Sequence, residues 1–260
     1  MEVVASAAMS KNAAEVRHAP EPRPSFRPLY EQIKILLTQG LVAGEWKPGE
    51  AIPSEIDLAQ RYQVSQGTVR KAIDALAAEH ILVRRQGKGT FVASHNEPSH
   101  HFRFLRVLPD SGDLTPPHSV LVQLKRAKAG AEPAKALGIR VGTPVHCIKR
   151  LLVFSGRPVV LDEMILSATR FPGITAARLE EHRVSIYQFY ENVFGVRMIR
   201  AEERLRAVAA SEFAAAQLQV APGTPLLCVD RIAYTYGDKP VEWRRGLCVT
   251  DGYSYFNELS

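Results

Sequence analysis

The sequence predicts an α+β protein in two parts: a helical head closed by a short hairpin, then a larger unit built on an antiparallel sheet. Three observations predict it. Three apolar helical stripes and two short strands follow one another within residues 28–92, a polar stretch without period spans 93–101, and an internal repeat lies beyond it. The chain has 260 residues, too many for one small domain, and with 46% hydrophobic and 23% charged residues it can bury real cores.

Pro28 suits the start of a first helix, along which Tyr30, Ile33, Leu37 and Leu41 recur at steps of three and four. The turn Lys47-Pro48-Gly49 interrupts the pattern. Ser54 then offers an N-cap with Asp57 three residues on, and Leu58, Ala59 and Tyr62 form the stripe of a second helix barely two turns long. Gln63 and Val64 make a turn, Ser65 caps again, and Val69, Ala72, Ile73, Leu76 and Ala77 line one face of a third helix. Residues 81–86 and Thr90-Phe91-Val92 read as strands joined by Gly87-Lys88-Gly89. The chain thus divides into an expected disordered tail at 1–25, a head at 26–92, a linker at 93–101 and a second domain at 102–260.

The repeat in the second domain has an offset of 81 residues: Gly142-Thr143-Pro144, Cys147, Arg150 and Gly156 match Gly223-Thr224-Pro225, Cys228, Arg231 and Gly237, six identities in fifteen positions. Both copies continue to a Pro-Val pair, Pro158-Val159 and Pro240-Val241. Each copy reads as a turn, a strand, a glycine turn and a second strand, so two related halves are expected to share one antiparallel sheet. Between them, 178–194 and 209–218 have helical spacing.

Composition excludes several kinds of chemistry. Three cysteines without a C-x-x-C pair give neither a disulfide framework nor a thiolate zinc site, and with no H-E-x-x-H no metal or other cofactor is expected. No apolar run reaches the ~20 residues of a membrane span, so a cytoplasmic protein without a membrane partner is expected. Net charge is +6, and the positive charge is densest at 61–92, where six Lys or Arg face only Asp74 and Glu79. Lys88-Gly89-Thr90 fails the full phosphate-loop pattern, because Gly89 follows the lysine where the pattern has Ser or Thr.

Two helices joined by a short turn, the second capped by Ser65 and flanked by basic residues, have the form of a helix-turn-helix. At 100° per residue, Gly67 and Lys71 fall opposite the core face of the third helix, with Thr68 and Arg70 on the flanks. The helix N-terminus suits a phosphate, and Gly87-Lys88-Gly89 makes a wing tip at which one lysine approaches a duplex closely. The plainer reading is a structural cap, a solvated basic face and an ordinary hairpin.

Family resemblance sharpens this. Pro53-Ser54-Glu55, Leu58-Ala59, Val64-Ser65, Thr68-Val69-Arg70-Lys71-Ala72 and Gly87-Lys88-Gly89-Thr90-Phe91-Val92 resemble the winged helix-turn-helix signature of the gluconate-repressor (GntR) family of bacterial regulators. Gly142-Thr143-Pro144, Arg150, Phe171-Pro172-Gly173, Ser185-Ile186-Tyr187, Arg231, Pro240-Val241-Glu242 and Asp251 resemble its companion UTRA effector domain, as in the histidine-utilisation-repressor (HutC) subfamily. The resemblance implies a chorismate-lyase-like α+β sensor that binds a small metabolite and, as a homodimer, sets the spacing of two heads on palindromic operator DNA. The implied duplex contacts are Ser65, Gln66, Gly67, Thr68, Arg70 and Lys71, with Arg85, Gly87, Lys88, Gly89 and Thr90 at the wing. Gln66 stands where many relatives have Arg and Ile56 where many have a polar residue; Gln suits adenine better than guanine.

For the effector, the resemblance implies Ser119, Arg150, Asp162, Ser185, Tyr187 and Glu242, with Arg150 the anchor for an anionic ligand. Arg231 repeats Arg150 in the other half, so both are equally readable as strand arginines paired with carboxylates. Leu152 and Cys248 replace polar residues of phosphosugar-sensing relatives, which favours a carboxylate or a more apolar metabolite. Trp243, Arg244 and Arg245 carry no role that the sequence assigns. The expected function is a ligand-responsive repressor in which 93–101 transmits a change in head placement. The alternatives are a lyase-like enzyme using Asp162 or Glu163 as acid or base, and a protein-interaction module.

Overall fold

The computed structural model describes residues 27–96, 104–111, 116–182 and 185–257; the expected tail and the 97–101 part of the expected linker lie outside them. Helix α1 (Leu29–Ala43) buries Ile33, Leu37 and Leu41 and stops at Gly44, whose φ of 77° is the left-handed conformation glycine adopts without strain. In α2 (Glu55–Tyr62) the Ser54 side chain accepts from the Asp57 N–H while Asp57 accepts from the Ser54 N–H, the reciprocal cap the spacing predicts. Helix α3 (Gln66–Ala78) is capped by Ser65 and buries Val69, Ala72, Ile73 and Leu76. These side chains, with Leu58 and Trp46, form the head's core.

Strands β1 (Leu82–Arg85) and β2 (Gly89–Val92) pair antiparallel, with Arg85 opposite Gly89. The outer edge of β2 is not left open. Gly49 N–H donates to the Val92 carbonyl at 2.8 Å and Ile52 N–H to that of Thr90 at 2.9 Å, so the segment after the Lys47-Pro48-Gly49 turn ties the hairpin to the helices.

The second part is a six-stranded antiparallel sheet in the order β4-β5-β6-β9-β8-β7. Its strands are β4 (His118–Lys128), β5 (Pro144–Phe154), β6 (Arg157–Ser167), β7 (Arg200–Ala209), β8 (Pro225–Thr235) and β9 (Lys239–Cys248). The repeat is larger than the sequence match. Each half is strand, helix, strand, strand, with α4 (Ala131–Leu137) in the first and α7 (Glu212–Leu218) in the second, and the halves meet at the β6–β9 pair. Helices α4 and α7 cover one face, α4 against β9 and α7 against β6, so each half's helix lies on the other half's strand.

The opposite face is covered at one end by α5 (Ala176–Glu181) and α6 (Ile186–Phe194) and at the other by a ribbon of β3 (Val107–Pro109) and β10 (Tyr253–Tyr255). The single helix expected over 178–194 is two, because Ser185 turns into extended backbone and its hydroxyl accepts from the Gln188 N–H to start α6.

Head and sheet meet through buried polar groups. Arg197, 1% exposed, donates to the His80 carbonyl at 2.8 Å just past the end of α3, and reaches Tyr236 Oη at 3.4 Å. Glu191 on α6 accepts from Ser94, from the His95 N–H at 3.0 Å and from Asn96 Nδ2 at 3.2 Å. The expected linker therefore begins tied to the sheet domain, with Ala93, Ser94 and His95 buried.

A Cβ on Gly40 would lie 2.7 Å from Trp46 Cζ3 and 2.9 Å from Glu45 Oε2. Alanine is the better helix former by about 1 kcal/mol, yet Gly40→Ala is expected to destabilise the head by about 1–2 kcal/mol through overpacking. Thermal unfolding, with a shift in tryptophan emission, measures it.

Candidate nucleic-acid interface and effector cleft

The face of α3 turned from the core is open. Gln66, Gly67, Arg70 and Lys71 are exposed and Thr68 is half-buried. The Ser65 hydroxyl accepts from the Thr68 N–H at 3.1 Å and lies 2.8 Å from Thr68 Oγ1, which fixes both side chains at the N-terminus. Behind this face stands Glu55, which accepts from Arg70 Nε at 2.9 Å and Gln66 Nε2 at 3.2 Å and pairs with Arg84 at 3.1 Å. Partial burial alone would raise its pKa, but the bonds from Arg70 and Gln66, with the charges of Arg70 and Arg84, hold the carboxyl below its ordinary range. One carboxylate thus aligns two of the candidate base readers.

At the wing tip Gly87 and Gly89 have φ of 70° and 108°, values that exclude other residues without strain. Lys88 between them is exposed. The Arg85 guanidinium lies over the Phe91 ring at 4.4 Å, and Thr90 is half-buried with its carbonyl engaged by Ile52. The eleven candidate duplex residues therefore cluster at the N-terminal half of α3 and on the hairpin, where Arg84, which sequence reasoning passed over, joins them through Glu55.

In the sheet domain the candidate effector residues fall on the α6-covered face, because the registers place Arg150 opposite Asp162, Asp162 opposite Gly246, Met164 opposite Arg244 and Arg231 opposite both Arg244 and Glu203. A row of charges crosses the sheet. Asp162 Oδ2 accepts from Arg150 Nη2 at 3.0 Å and Arg244 Nη1 at 3.1 Å. Glu242, fully buried, accepts from Arg244 Nε at 2.9 Å, Tyr190 Oη at 2.7 Å and Tyr187 Oη at 3.1 Å. Burial raises the pKa of both tyrosines, so they donate as neutral phenols. Arg231 donates to Glu203 at 2.6 Å, Tyr187 Oη at 3.1 Å and the Phe104 carbonyl at 2.6 Å.

Burial would lift the Asp162 pKa, but Arg244, Arg150 and Arg231 together bring it below the ordinary value. Gly246 matters to the space above it: a Cβ there would be 3.1 Å from Asp162 Oδ1. Two cavities of about 50 Å³ each open beside these groups, one by Asp162 and Gly246 and the other by Arg150, Ser185 and Tyr187; Arg231, Arg244, Leu152, Phe104 and Leu105 border both. Four of the six candidates, Arg150, Asp162, Ser185 and Tyr187, line these cavities, and Glu242 lies behind them, bonded to Tyr187 and Arg244. Ser119 does not line either cavity: it sits half-buried on the edge strand β4, opposite Leu152.

Arg150 and Arg231 both have carboxylate partners, as the paired-arginine reading expects, and both still border the cavities. Arg244, left without a role in the sequence, is the hub of the row; Trp243 points to the other face against α4, and Arg245 pairs with Asp230 and Glu132. Strand alternation puts Arg244 on the same face as Glu242, but its pairing with Asp162 depends on the β6–β9 register. Glu163 lies on the face away from Asp162 and pairs with Lys149.

This architecture matches two known families in succession: residues 29–92 fit the bacterial regulatory proteins of the gntR family, and residues 115–254 fit the UTRA domain. The chain belongs to the GntR family, HutC subfamily. It is 28% identical over 227 residues to the "Probable fructoselysine utilization operon transcriptional repressor" of Escherichia coli K12, spanning 87% of this chain and 92% of that protein. The histidine utilization repressor of Pseudomonas putida is 28% identical over 215 residues, spanning 82% of this chain and 85% of that one. Among solved structures, the ligand-binding domain of a GntR-family regulator from Bordetella bronchiseptica is 47% identical with a TM-score of 0.58, covering 61% of this chain and 98% of that one. The protein is thus a ligand-responsive transcription regulator, a GntR helix-turn-helix head followed by a UTRA domain. Among the described residues no helix is long and apolar enough to cross a membrane.

The charge row of this GntR-family regulator sets a pH dependence. With its folded pKa below the unfolded value of about 3.9, Asp162 contributes stability that is complete above that value and is lost as pH falls through it toward the folded pKa. Asp162→Asn is expected to cost about 3–5 kcal/mol at neutral pH, because Arg150 and Arg244 lose their shared carboxylate, and to flatten the acid limb of the stability curve. Urea unfolding between about pH 3 and about pH 7 checks both effects.

Proposed function

We propose that this chain is a homodimeric, cytoplasmic repressor whose α3 N-terminus and wing read palindromic operator DNA and whose cleft between β5, β6, β8 and β9 receives the effector. The observation that carries it is the open α3 face, with Gln66 and Arg70 aligned by Glu55 beside the glycine-flanked Lys88. Ser65, Gly67, Thr68, Lys71 and Gly89 approach phosphates, Arg85 and Thr90 support the wing, and Gln66 and Arg70 reach base edges. Dimer symmetry sets the half-site spacing, so an effector that alters head placement alters affinity.

Three arginines and the carboxylates of Asp162, Glu203 and Glu242 balance in the cleft. That balance favours a singly charged acid or a zwitterion over a doubly charged phosphate ester. It also favours binding over catalysis: Asp162 is ionised and committed to two arginines, so it has no proton to donate near neutral pH, and Glu163 faces away. Asp162 Oδ1, turned to Gly246 and the cavity, is a natural acceptor for a ligand N–H or O–H.

Fluorescence anisotropy with the duplex upstream of the protein's own gene tests this reading. Binding is expected at low salt and to weaken with added salt. Arg70→Ala should reduce affinity at least about tenfold with the fold intact, and Lys88→Ala should lower the salt slope by about one. Equal affinity for the wild type and Arg70→Ala at every salt concentration would remove the α3 face from the interface.

A further inference from the structure

Resting on the effector-cleft reading, we propose that the Phe104–Leu105 segment is a built-in occupant of that cleft, and that the effector binds by taking its place. The Phe104 carbonyl sits on Arg231 Nη2 at 2.6 Å, where a ligand carboxylate oxygen would be held. The two side chains divide between the covers of the sheet face, Phe104 packing with the α6 cluster and Leu105 with the β3–β10 cluster, so the segment straddles the centre of the site.

Size supports displacement. Each remaining cavity measures about 50 Å³, room for a water or two, whereas a metabolite site needs several hundred. Both cavities are bordered by Phe104 and Leu105 together with Leu152, Arg231 and Arg244. Lifting the segment joins them into one space with Arg231 and Arg244 on its floor, Asp162 Oδ1 at one side and an apolar wall from Leu152, Val160, Val229 and Cys248. The ligand class is a monocarboxylate with an apolar body and one N–H or O–H donor.

The same contact explains how the head is informed. Phe104 packs edge-on against Tyr187 at 5.6 Å, and His95 packs on Tyr187 at 5.7 Å and on Phe104 at 6.2 Å. His95 in turn bonds Glu191 and the Met198 carbonyl, next to the Arg197 that grips the end of α3. An effector that expels Phe104 removes one ring of this three-ring stack and leaves His95 packed against a changed surface.

The test uses the full chain and 3-phenyllactate, which carries a carboxylate, a hydroxyl and an apolar ring, with 3-phenyl-1,2-propanediol as the counterpart lacking the acid. Calorimetry and amide hydrogen exchange are read on the wild type, Phe104→Ala and Leu105→Ala. Displacement predicts acid-dependent binding, slowed exchange in β5 and β8, faster exchange at 104–107, and affinity raised about fivefold or more in each variant, because the internal competitor is weakened. If β5 and β8 are protected but 104–107 slows as well and both variants bind more weakly, the segment is a wall of the site; displacement is overturned and the effector cleft stands. If the acid binds neither the wild type nor the variants, the cleft is no site for such an acid, and both readings fall.

Discussion

Placing six charged side chains on one buried sheet face is tolerable only if every charge finds a partner, and this constraint organises the whole UTRA domain. Asp162 joins Arg150 to Arg244, Glu242 takes the other side of Arg244 and two phenols, and Arg231 closes the row against Glu203. The partners come from neighbouring strands in register, so the ion pairs and the strand order fit one another. The same constraint also explains the position of α6: Tyr187 and Tyr190 are needed above Glu242, and the next residue, Glu191, is then carried to the junction with the head.

The head follows a different economy. Its core is largely aliphatic around Trp46, with Ile199 and Tyr236 of the sheet domain packed onto it, α2 and α3 start at local serine caps, and the carboxylate of Glu55 lies at the edge of the surface instead of beneath it. That placement orients Gln66 and Arg70 while leaving both side chains exposed. Head and sheet domain are joined by Arg197 on the carbonyl after α3, by Glu191 on the chain leaving β2, and by Ile199 and Tyr236 packed against the head's core.

Much of this was legible in the sequence. Helices α1 to α3, their caps and the hairpin come from local periodicity and turn chemistry, signals that need no knowledge of the rest of the chain. The doubled Gly-Thr-Pro and arginine pattern revealed the two halves. What stayed hidden depends on register across strands far apart in sequence: the centrality of Arg244 requires knowing that β6 lies beside β9, and the engagement of Arg231 by Phe104 joins residues more than a hundred apart. The break between α5 and α6 is an intermediate case, since the Ser185 cap was visible but the apolar spacing on both sides of it concealed the interruption.

The internal symmetry leaves a last mark. Aligning Pro158 with Pro240 makes Asp162 the counterpart of Arg244 and Met164 the counterpart of Gly246, and the strand pairing sets Asp162 against Gly246 and Met164 against Arg244. Halves that were still identical would confront each other with like charges across this pseudo-axis. In this chain the two positions instead form an ion pair, and Gly246 borders a cavity whereas its counterpart Met164 is fully buried.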